Sequence, residues 1–408
     1  MRGVVAAYVV GMRQRVLFSL LAILYVPSLQ AQRVRAVGPT QPNAGDPLPA
    51  LTAAQLADFN AGRGEFTDIE SAQDGLGPVF NGRSCVECHA IPAIGGSSRR
   101  TVTRFGLRSG NVFDALAALG GSLIQEHGIG PREGSPHLFR GEVVPQNANV
   151  ITRRRTTPLF GLGFVDATDD ADFFALAQLQ SARRRDGIAG RVSIVENFSA
   201  GGNTVGKFGW KAQQPTLFQF AGDAYLNEIG ITNPQFPNEN CPNGNCAELA
   251  FNPRPDLNDT GDGVAALAKF MTMLASPPRA TITSDVNQGE AIFDRIGCDE
   301  CHVATLHTDA STIVALDHRT YHPYSDFLLH DMGNLGDGIE QGAARGRDMR
   351  TAPLWGLRFT NVYLHDGRAQ SLDQAILQHD GEARASHDRF ATLSEDEKQK
   401  LRAFLQSL

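Results

Sequence analysis

The sequence predicts a mainly α fold made of two similar helical domains, with long loops and a few short strands. A C-x-x-C-H motif occurs twice, at residues 85–89 and 298–302. Each motif follows a segment with helical spacing of apolar residues, and each half of the chain ends in another, LAKFMTML and LRAFLQSL. A second internal repeat consists of TPLFGL at 157–162 and APLWGL at 352–357. The repeated order of these elements indicates two copies of one unit.

The C-x-x-C-H motif is typical of covalent haem attachment, because two thiols bond the haem vinyl groups and the adjacent histidine reaches the iron. The alternatives are a zinc site, which requires further ligands at metal spacing, and a thioredoxin-like redox pair, which does not require the histidine. A helix followed by this motif is how a small cytochrome c domain begins, so we expect two cytochrome c-like domains and two c-type haems. The expected haem residues are Cys85, Cys88, His89, Cys298, Cys301 and His302.

The chain begins with a segment typical of a signal peptide. Residues 1–31 contain three arginines and no acidic residue, then an apolar run at 16–26 and a small-residue site near Ala31. An uncleaved anchor is the alternative, although the run is shorter than the roughly 20 residues that a membrane-spanning helix needs. Met12 is an alternative start. We expect an exported, periplasmic protein.

After the leader, residues 32–50 are expected to be irregular, because they are rich in proline, glycine and alanine. The N-terminal haem domain is placed at 51–280, with large insertions, and the C-terminal haem domain at 281–408. The insertions lie mainly at 90–150 and 180–258. The segment 191–195 is rich in β-branched residues and predicts a short hairpin there.

Charge restricts the class of partner. Removal of residues 1–31 changes the formal net charge from −7 to −10. An acidic chain argues against nucleic acid and suits a basic redox partner, although simple solubility explains the charge equally well. We expect peripheral membrane association or none.

Two cysteines lie outside the haem motifs. Cys241 and Cys246 are separated by the turn-like segment PNGN. Because an exported protein meets an oxidising compartment, we predict a disulfide here, with a metal site as the alternative.

Capping and spacing predict the helices beside the motifs. Thr52 is placed as the N-cap of a helix in the first domain. In the second, a helix capped by Ser284 and Asp285 presents Gly289 and Phe293 on one face, where the glycine allows close approach of the last helix. That last helix begins with the capping box at 394–397. The closing helix of the first half is predicted between Asp262 and the prolines at 277–278.

Six stretches resemble a known family. They are FNGRSCVECHA, RRTTPLFGLGFVDA, GKFGWKAQQPTLFQFAGDAYLNEIGITNPQFP, GCDECH, YSDFLLHDMG and MRTAPLWGLRFTNVYLHDGRAQSLDQAILQHDGEA. They resemble the di-haem oxidoreductase family of putative peroxidases, which is related to bacterial di-haem cytochrome c peroxidase and to the di-haem enzyme that matures tryptophan tryptophylquinone. The resemblance implies two haem domains facing each other, one haem handling electrons and one meeting peroxide or another oxidant.

The sixth ligand decides what each haem can do, because an open iron admits peroxide and a closed iron only transfers electrons. In the related peroxidases the distal ligand of the C-terminal haem falls where His379 stands here. We therefore expect coordination by His302 and His379, with Met332 and then His330 as alternatives. Histidine ligation departs from the usual pair of histidine and methionine, and is expected to lower the haem potential.

The distal side of the first haem is expected in the loop at 120–127. Glu126 or Gln125 suits the peroxidase role, since a distal group can take a proton from peroxide and return it to the leaving oxygen. His127 could instead close the site as an iron ligand. Each of the three is also explained as an exposed loop residue.

Other residues have candidate roles in the haem pockets. Arg350 and Arg368 could pair with haem propionates, and His365 could hydrogen-bond within a pocket. Trp210 and Trp355 could carry electrons between haems, as a bridging aromatic does in the relatives, or simply pack in the core. The segment NDTGD at 258–262 offers oxygen ligands, and the relatives hold calcium, although helix capping also explains it.

Two functions follow. The first is an exported di-haem oxidoreductase of peroxidase type, in which electrons from a cytochrome or cupredoxin enter at the haem on His302 and reach the haem on His89, where hydrogen peroxide is cleaved or a substrate is oxidised. The second is a non-catalytic electron carrier with both irons six-coordinate.

Overall fold

The computed structural model describes residues 41–408. The predicted signal peptide at 1–31, with the Met12 alternative, lies outside the described residues, as does the first part of the predicted irregular segment at 32–50. The described residues cluster as one compact unit. The division into haem domains at 51–280 and 281–408 stays a prediction.

Nine α-helices are present between residues 41 and 408. They are α1 (Ala53–Thr67), α2 (Leu162–Asp166), α3 (Asp170–Arg183), α4 (Leu217–Ala224), α5 (Asp262–Met273), α6 (Ser284–Ile296), α7 (Leu372–Ile376), α8 (Arg384–Ala391) and α9 (Glu395–Ser407). A π-helix, Tyr225–Ile229, continues directly from α4. Each C-x-x-C-H motif begins with a 3-10 turn, Cys85–Glu87 in the first and Cys298–Glu300 in the second.

The expectation of a mainly α protein is wrong. Only 35% of the described residues are helical and 15% are in strands, which form several small sheets. The strands are β1 (Val79–Phe80), β2 (Thr101–Ser109), β3 (Val112–Asp114), β4 (His127–Gly128), β5 (Val150–Arg155), β6 (Ser193–Asn197), β7 (Gly202–Gly206), β8 (Leu306–His307), β9 (Thr320–Tyr321), β10 (Leu329–Asp331) and β11 (Asp348–Arg350). The predicted long loops contain much of this strand structure.

All strand pairs among these elements are antiparallel. The largest sheet has the order β3-β2-β5, with Thr101 opposite Arg155 and Gly106 opposite Val150. Four two-stranded pairs are β1-β4, β6-β7, β8-β9 and β10-β11. The pair β6-β7 confirms the hairpin predicted from the β-branched segment at 191–195.

Helices α1 and α5 pack together beside the first motif. Thr52 caps α1 in a reciprocal capping box with Gln55, which confirms the predicted helix start. A Cβ placed on Gly62 would lie 2.1 Å from the carbonyl oxygen of Ala266. The glycine therefore lets the two helix backbones meet without a side chain between them. Helix α5 ends at Met273, before the prolines that were expected to terminate it.

Helices α6 and α9 repeat this arrangement beside the second motif. A Cβ on Gly289 would lie 2.0 Å from the carbonyl oxygen of Lys400 in α9, so the predicted close approach is confirmed. Ser394 and Glu397 form the predicted capping box. The N-cap of α6 is Thr283, one residue before the predicted start, because its hydroxyl accepts the Val286 N–H.

Each motif packs against its own hydrophobic cluster, Cys85 against the larger one and Cys298 against the smaller one. The larger contains Phe59, Phe66 and Phe270 from the first helix pair. The second contains Phe293 and Phe404 from the second pair. The first cluster also includes Phe327 and Trp355, so residues from the C-terminal half complete the core of the N-terminal half.

The predicted disulfide between Cys241 and Cys246 is confirmed. Its turn is anchored to the chain before β5, because the carboxylate of Glu142 accepts the Asn243 N–H at 2.8 Å and the Asn243 side chain accepts the Val143 N–H at 3.0 Å.

Candidate haem sites

The histidines of the two motifs are held in the same way. The Nδ1–H of His89 donates to the carbonyl oxygen of Gly96 at 2.9 Å. The Nδ1–H of His302 donates to the carbonyl oxygen of Tyr324 at 2.8 Å. Because a carbonyl only accepts, Nδ1 carries the hydrogen in both rings. Nε2 therefore keeps a free lone pair, the arrangement of an orientated metal ligand.

Burial keeps both rings neutral. It lowers the pKa of His89 to about 4 and that of His302 to about 4, against the smaller opposing effect of each backbone hydrogen bond. An uncharged imidazole is the form that binds iron. The four motif cysteines are free thiols beside these rings.

Each motif lines its own cavity. The first cavity has a volume of about 170 Å³ and is lined by Cys85, Cys88 and His89. The second has a volume of about 290 Å³ and is lined by Cys298, Cys301 and His302. The second wall is largely apolar, with Phe293, Leu372 and Leu401 among its side chains.

Three arginines that line the first cavity each leave one buried nitrogen without a hydrogen-bond acceptor. These atoms are Arg104 Nε, Arg154 Nη2 and Arg155 Nε. Unpaired buried donors are costly, so they indicate that an anionic group completes the site. Two thiols, a neutral imidazole and these guanidinium groups fit a haem, whose propionates would supply the missing acceptors.

The residues predicted for the distal side of the first haem do not line this cavity. Glu126 and His127 are exposed. Gln125 is buried and donates from Nε2 to the carbonyl oxygen of Asn227 at 3.2 Å. Their predicted catalytic and ligand roles stay predictions, but the geometry brings a different carboxylate to the cavity.

That carboxylate is Glu228, in the π-helix that follows α4. Burial raises its pKa to about 7, although Arg104 and a hydrogen bond from Asn81 oppose the shift. Asp223, one turn earlier, also lines the cavity and has a pKa raised by burial. Glu228 could have been identified from the sequence, because it is an acidic residue within the apolar segment YLNEIGI, which resembles the family.

His379 lies in the second cavity with His302. Its Nδ1–H donates to the carbonyl oxygen of Ala375 at 2.8 Å, so it shares the hydrogen-bonding arrangement of the two motif histidines. Burial lowers its pKa. Met332 lines the same cavity, as does His387, which the sequence did not single out and whose buried Nδ1 has no partner. The predicted ligation by His379 stays a prediction that this geometry permits.

His330 is engaged on both ring nitrogens. Nδ1 lies 2.7 Å from a Glu382 carboxylate oxygen and Nε2 lies 3.0 Å from an Asp326 carboxylate oxygen. Burial opposes a charge on the ring, but Cys301 and Asp326 hold the pKa of His330 well above its usual value. Cys301, Asp326 and His330 bring ligand atoms within 4.8 Å of one another. A ring bound this way has no nitrogen left for iron.

The two arginines considered for propionates differ in position. Arg350 is buried in the wall of the second cavity, where its Nε donates to the carbonyl oxygen of Gly209 at 2.7 Å. Arg368 is exposed and pairs with Asp366 at 2.6 Å. His365 is buried in the second cavity, and burial lowers its pKa to about 4. Its Nε2 has no hydrogen-bond partner among the described residues, although it lies 4.0 Å from an Asp366 carboxylate oxygen.

Trp210 lines both cavities, whereas Trp355 lines only the second among the described cavity walls. The indole N–H of Trp210 donates to the carbonyl oxygen of Arg155 at 2.8 Å. Its ring meets His365 edge to face, with 6.2 Å between centroids. Trp355 is 9% exposed and belongs to the hydrophobic core.

The segment at 258–262 caps α5. The carboxylate of Asp259 accepts the Gly263 N–H at 2.9 Å and the Val264 N–H at 3.2 Å. Asn258 Oδ1 accepts from the hydroxyl of Thr232 at 3.0 Å. These contacts explain the residue types here, and calcium binding stays a prediction.

Solved structures resemble the chain at low identity. Hydrazine synthase from Kuenenia stuttgartiensis is 14% identical with a TM-score of 0.38, over 98% of this chain and 100% of that chain. A MauG-like protein associated with microbial copper homeostasis is 16% identical with a TM-score of 0.39, over 91% and 94%. The diheme peroxidase BthA from Burkholderia thailandensis is 13% identical with a TM-score of 0.38, over 86% and 86%. Likeness at this level carries no argument about the chemistry.

A comparison with curated proteins found no significant match. The family model described as "Di-haem oxidoreductase, putative peroxidase" matches residues 141–408, which is more than half of the chain. This match agrees with the resemblance of the six stretches, and membership implies two iron-containing haems. The chain therefore belongs to the di-haem oxidoreductase family of putative peroxidases.

Proposed function

We propose that this protein is an exported di-haem c-type oxidoreductase of peroxidase type, in which hydrogen peroxide is reduced in the cavity of His89. The observation that carries the proposal is the presence of Glu228, with a pKa of about 7, in the same cavity as His89 and its two cysteines. A general acid–base group works best when its pKa lies near the working pH.

Six residues would hold the cofactors. The thiols of Cys85, Cys88, Cys298 and Cys301 would form thioether bonds, and His89 and His302 would bind iron through Nε2. When bound, the haems supply iron-centred electron transfer and, at an open position, a place for the oxidant.

Glu228 provides the proton transfers that peroxide reduction requires. Hydrogen peroxide takes up two electrons and two protons and yields two waters, with cleavage of its O–O bond. The ionised carboxylate of Glu228 accepts a proton from one peroxide oxygen, and the carboxylic acid then returns it to the departing oxygen. Arg104 and Asp223 line the same cavity and set the local charge.

The second cavity suits electron entry. His302 and His379 would both hold the iron there, and an iron held by two side chains would supply electron transfer without admitting peroxide. Trp210 lies in the walls of both cavities and offers an aromatic path between them. The electron donor would be a small redox protein of the cytochrome or cupredoxin type.

Export is supported by residues 1–31, which have the charge and apolar pattern of a signal peptide, and by the disulfide between Cys241 and Cys246. Within residues 41–408, no helix has the length and apolar character that crossing a membrane would require. We propose a periplasmic location, to be tested by fractionation of cells that express the full chain.

Replacement of Glu228 tests the catalytic proposal. In the haem-loaded protein, Glu228→Gln keeps the shape of the side chain but removes its proton transfer. Turnover of hydrogen peroxide with a reduced donor should fall about 10²–10⁴-fold. Glu239→Gln is the matched control, because Glu239 also has a pKa raised by burial, to about 8, but does not line either cavity. Equal turnover in the Glu228→Gln variant and the wild type would reject the role of Glu228, and absence of peroxide turnover in the wild type would favour the electron-carrier function.

A further inference from the structure

The Glu228 carboxylate is held by a single described side chain. The Nδ2 amide of Asn81 donates to Glu228 Oε2 at 2.8 Å. Asn81 is 8% exposed and lines the first cavity. It comes directly after β1 and four residues before Cys85, the first residue of the haem motif.

The other end of the same amide fixes its orientation. Asn81 Oδ1 accepts the backbone N–H of Glu126 at 2.9 Å. Because a backbone N–H can only donate, the amide oxygen must face Glu126 and the amide nitrogen must face Glu228. Rotation of the amide by half a turn would break both hydrogen bonds at once.

The backbone of Asn81 is also tied to Glu228. The N–H groups of Asn81 and Gly82 both donate to the carbonyl oxygen of Glu228, at 2.8 Å and 3.1 Å. On the far side, β1 pairs with β4, which places Phe80 opposite His127. Asn81 is therefore clamped between the π-helix that carries Glu228 and the loop at 125–127.

We infer that Asn81 is a positioning residue, whose amide holds the Glu228 carboxylate in the first haem cavity and favours its ionised form. The inference rests on the proposed acid–base role of Glu228. It also gives the loop at 125–127 a function in this site, because the Glu126 peptide group orientates the amide that orientates the carboxylate.

The groups around Glu228 determine whether its pKa rises or falls when the Asn81 amide is removed. Asp223 on α4 and Glu126 on the loop disfavour the ionised carboxylate, and burial does so more strongly. Arg104 on β2 and the Asn81 amide favour it. Removal of the amide should therefore raise the pKa of Glu228, since a hydrogen bond to the charged form stabilises that form.

Two substitutions of Asn81 distinguish loss of its hydrogen bond to Glu228 from a change in the packing of its side chain. Asn81→Ala removes both hydrogen bonds of the amide. Asn81→Asp keeps an oxygen for the Glu126 N–H and nearly the same shape, but replaces the donor to Glu228 with a second acceptor. The control is Asn197→Ala, because Asn197 is also buried, at 7% exposure, and its side chain accepts the backbone N–H groups of Ser199 and Ala200 in the β6-β7 hairpin.

The measurement is an infrared titration of the haem-loaded ferric protein, with Glu228→Gln used to assign the carboxylic acid band of Glu228. We expect the midpoint of that band to rise by about one pH unit in Asn81→Ala. In Asn81→Asp the two carboxyl groups should share a proton and retain it to still higher pH. Asn197→Ala should leave the midpoint unchanged.

The inference is overturned if both Asn81 variants keep the wild-type midpoint while their visible haem spectra are normal, or if Asn197→Ala shifts it equally. If Asn81→Ala does not accumulate as a haem protein, Asn81→Asp decides alone. Failure of the proposed function is a separate result, because the band shift does not depend on turnover. If the Asn81 variants show the expected shifts but the wild-type protein does not turn over peroxide, the positioning role is supported and the peroxidase function is rejected.

Discussion

The indole N–H of Trp210 donates a 2.8 Å hydrogen bond to the carbonyl oxygen of Arg155, and both residues line both haem cavities. This contact fixes the indole ring in the shared wall. Under the proposed function, we expect this ring to carry electrons between the two haem sites.

Trp210→Phe should slow electron transfer between the two haems while leaving both haem spectra intact. The substitution keeps an aromatic ring but removes the indole N–H and part of the π-system. Transfer should be followed by stopped-flow absorbance after rapid reduction of one haem. Trp355→Phe is the control, since Trp355 lines only the second of the two cavities described here. Unchanged transfer in Trp210→Phe would exclude the indole as the path.

His379→Ala should open the second haem and convert its iron to high spin. The substitution removes the ring whose Nδ1–H donates to the carbonyl oxygen of Ala375 and whose Nε2 is proposed to bind the iron. Visible and near-infrared spectra of the ferric protein give the spin state. His322→Ala serves as the control, because His322 is exposed and its Nδ1 lies 3.1 Å from the Thr305 hydroxyl.

His387→Ala distinguishes between the two histidines, His379 and His387, as the sixth ligand in the second cavity. If His379 is the ligand, His387→Ala should retain a low-spin second haem. A high-spin spectrum in His387→Ala, with an unchanged spectrum in His379→Ala, would assign the ligand to His387 instead.

Peroxide turnover should fall as the pH drops below about 7. The pKa of Glu228 is raised by burial to about 7, and the carboxylate must be ionised to take a proton from peroxide. Protonation below that pKa therefore removes the base. The initial rate against pH, measured with saturating electron donor, should show this acidic limb in the wild type and lose it in Glu228→Gln. An acidic limb that remains in the variant would assign the titration to another group.

Gly289→Ala should destabilise the protein by about 1–3 kcal/mol, because the new methyl group would meet the backbone of Lys400 rather than a movable side chain. Denaturant unfolding measures the change. Gly64→Ala in α1 is the control, since a Cβ there meets nothing within 4 Å. Alanine should stabilise that helix by about 0.5–1 kcal/mol. Equal effects at the two positions would show that the α6 and α9 backbones are not in close contact.

Local sequence signals predicted the helix framework well. Thr52 and Ser394 sit in capping boxes whose partners are three residues away, so the pattern is visible in the sequence itself. Gly289 was predicted to meet the last helix because the motif order is repeated along the chain. The fold class was wrong because β2 lies in the predicted insertion at 90–150 and pairs with β5 just beyond it, and local sequence patterns do not reveal the pairing of distant segments.

The distal side of the first cavity could not be predicted from spacing. Gln125 and Glu126 come directly before β4, which pairs with β1, and the Glu126 side chain is exposed. Glu228 reaches the cavity from a π-helix more than a hundred residues later. The segment before His379 closely resembles the family, so the sequence could place this residue beside the second haem motif, and its side chain lies in the second cavity. Its role as an iron ligand stays a prediction.

Electron paramagnetic resonance of the haem-loaded protein shows whether one of the two irons is open to peroxide. Spectra should be recorded for the fully oxidised protein and after addition of one electron per molecule. We expect one low-spin signal from the haem held by His302 and His379. We also expect a high-spin ferric signal from the open haem beside Glu228, either in the oxidised protein or after addition of the electron. Two low-spin signals that do not change between the two states would mean that both irons are closed, and would contradict the peroxidase function.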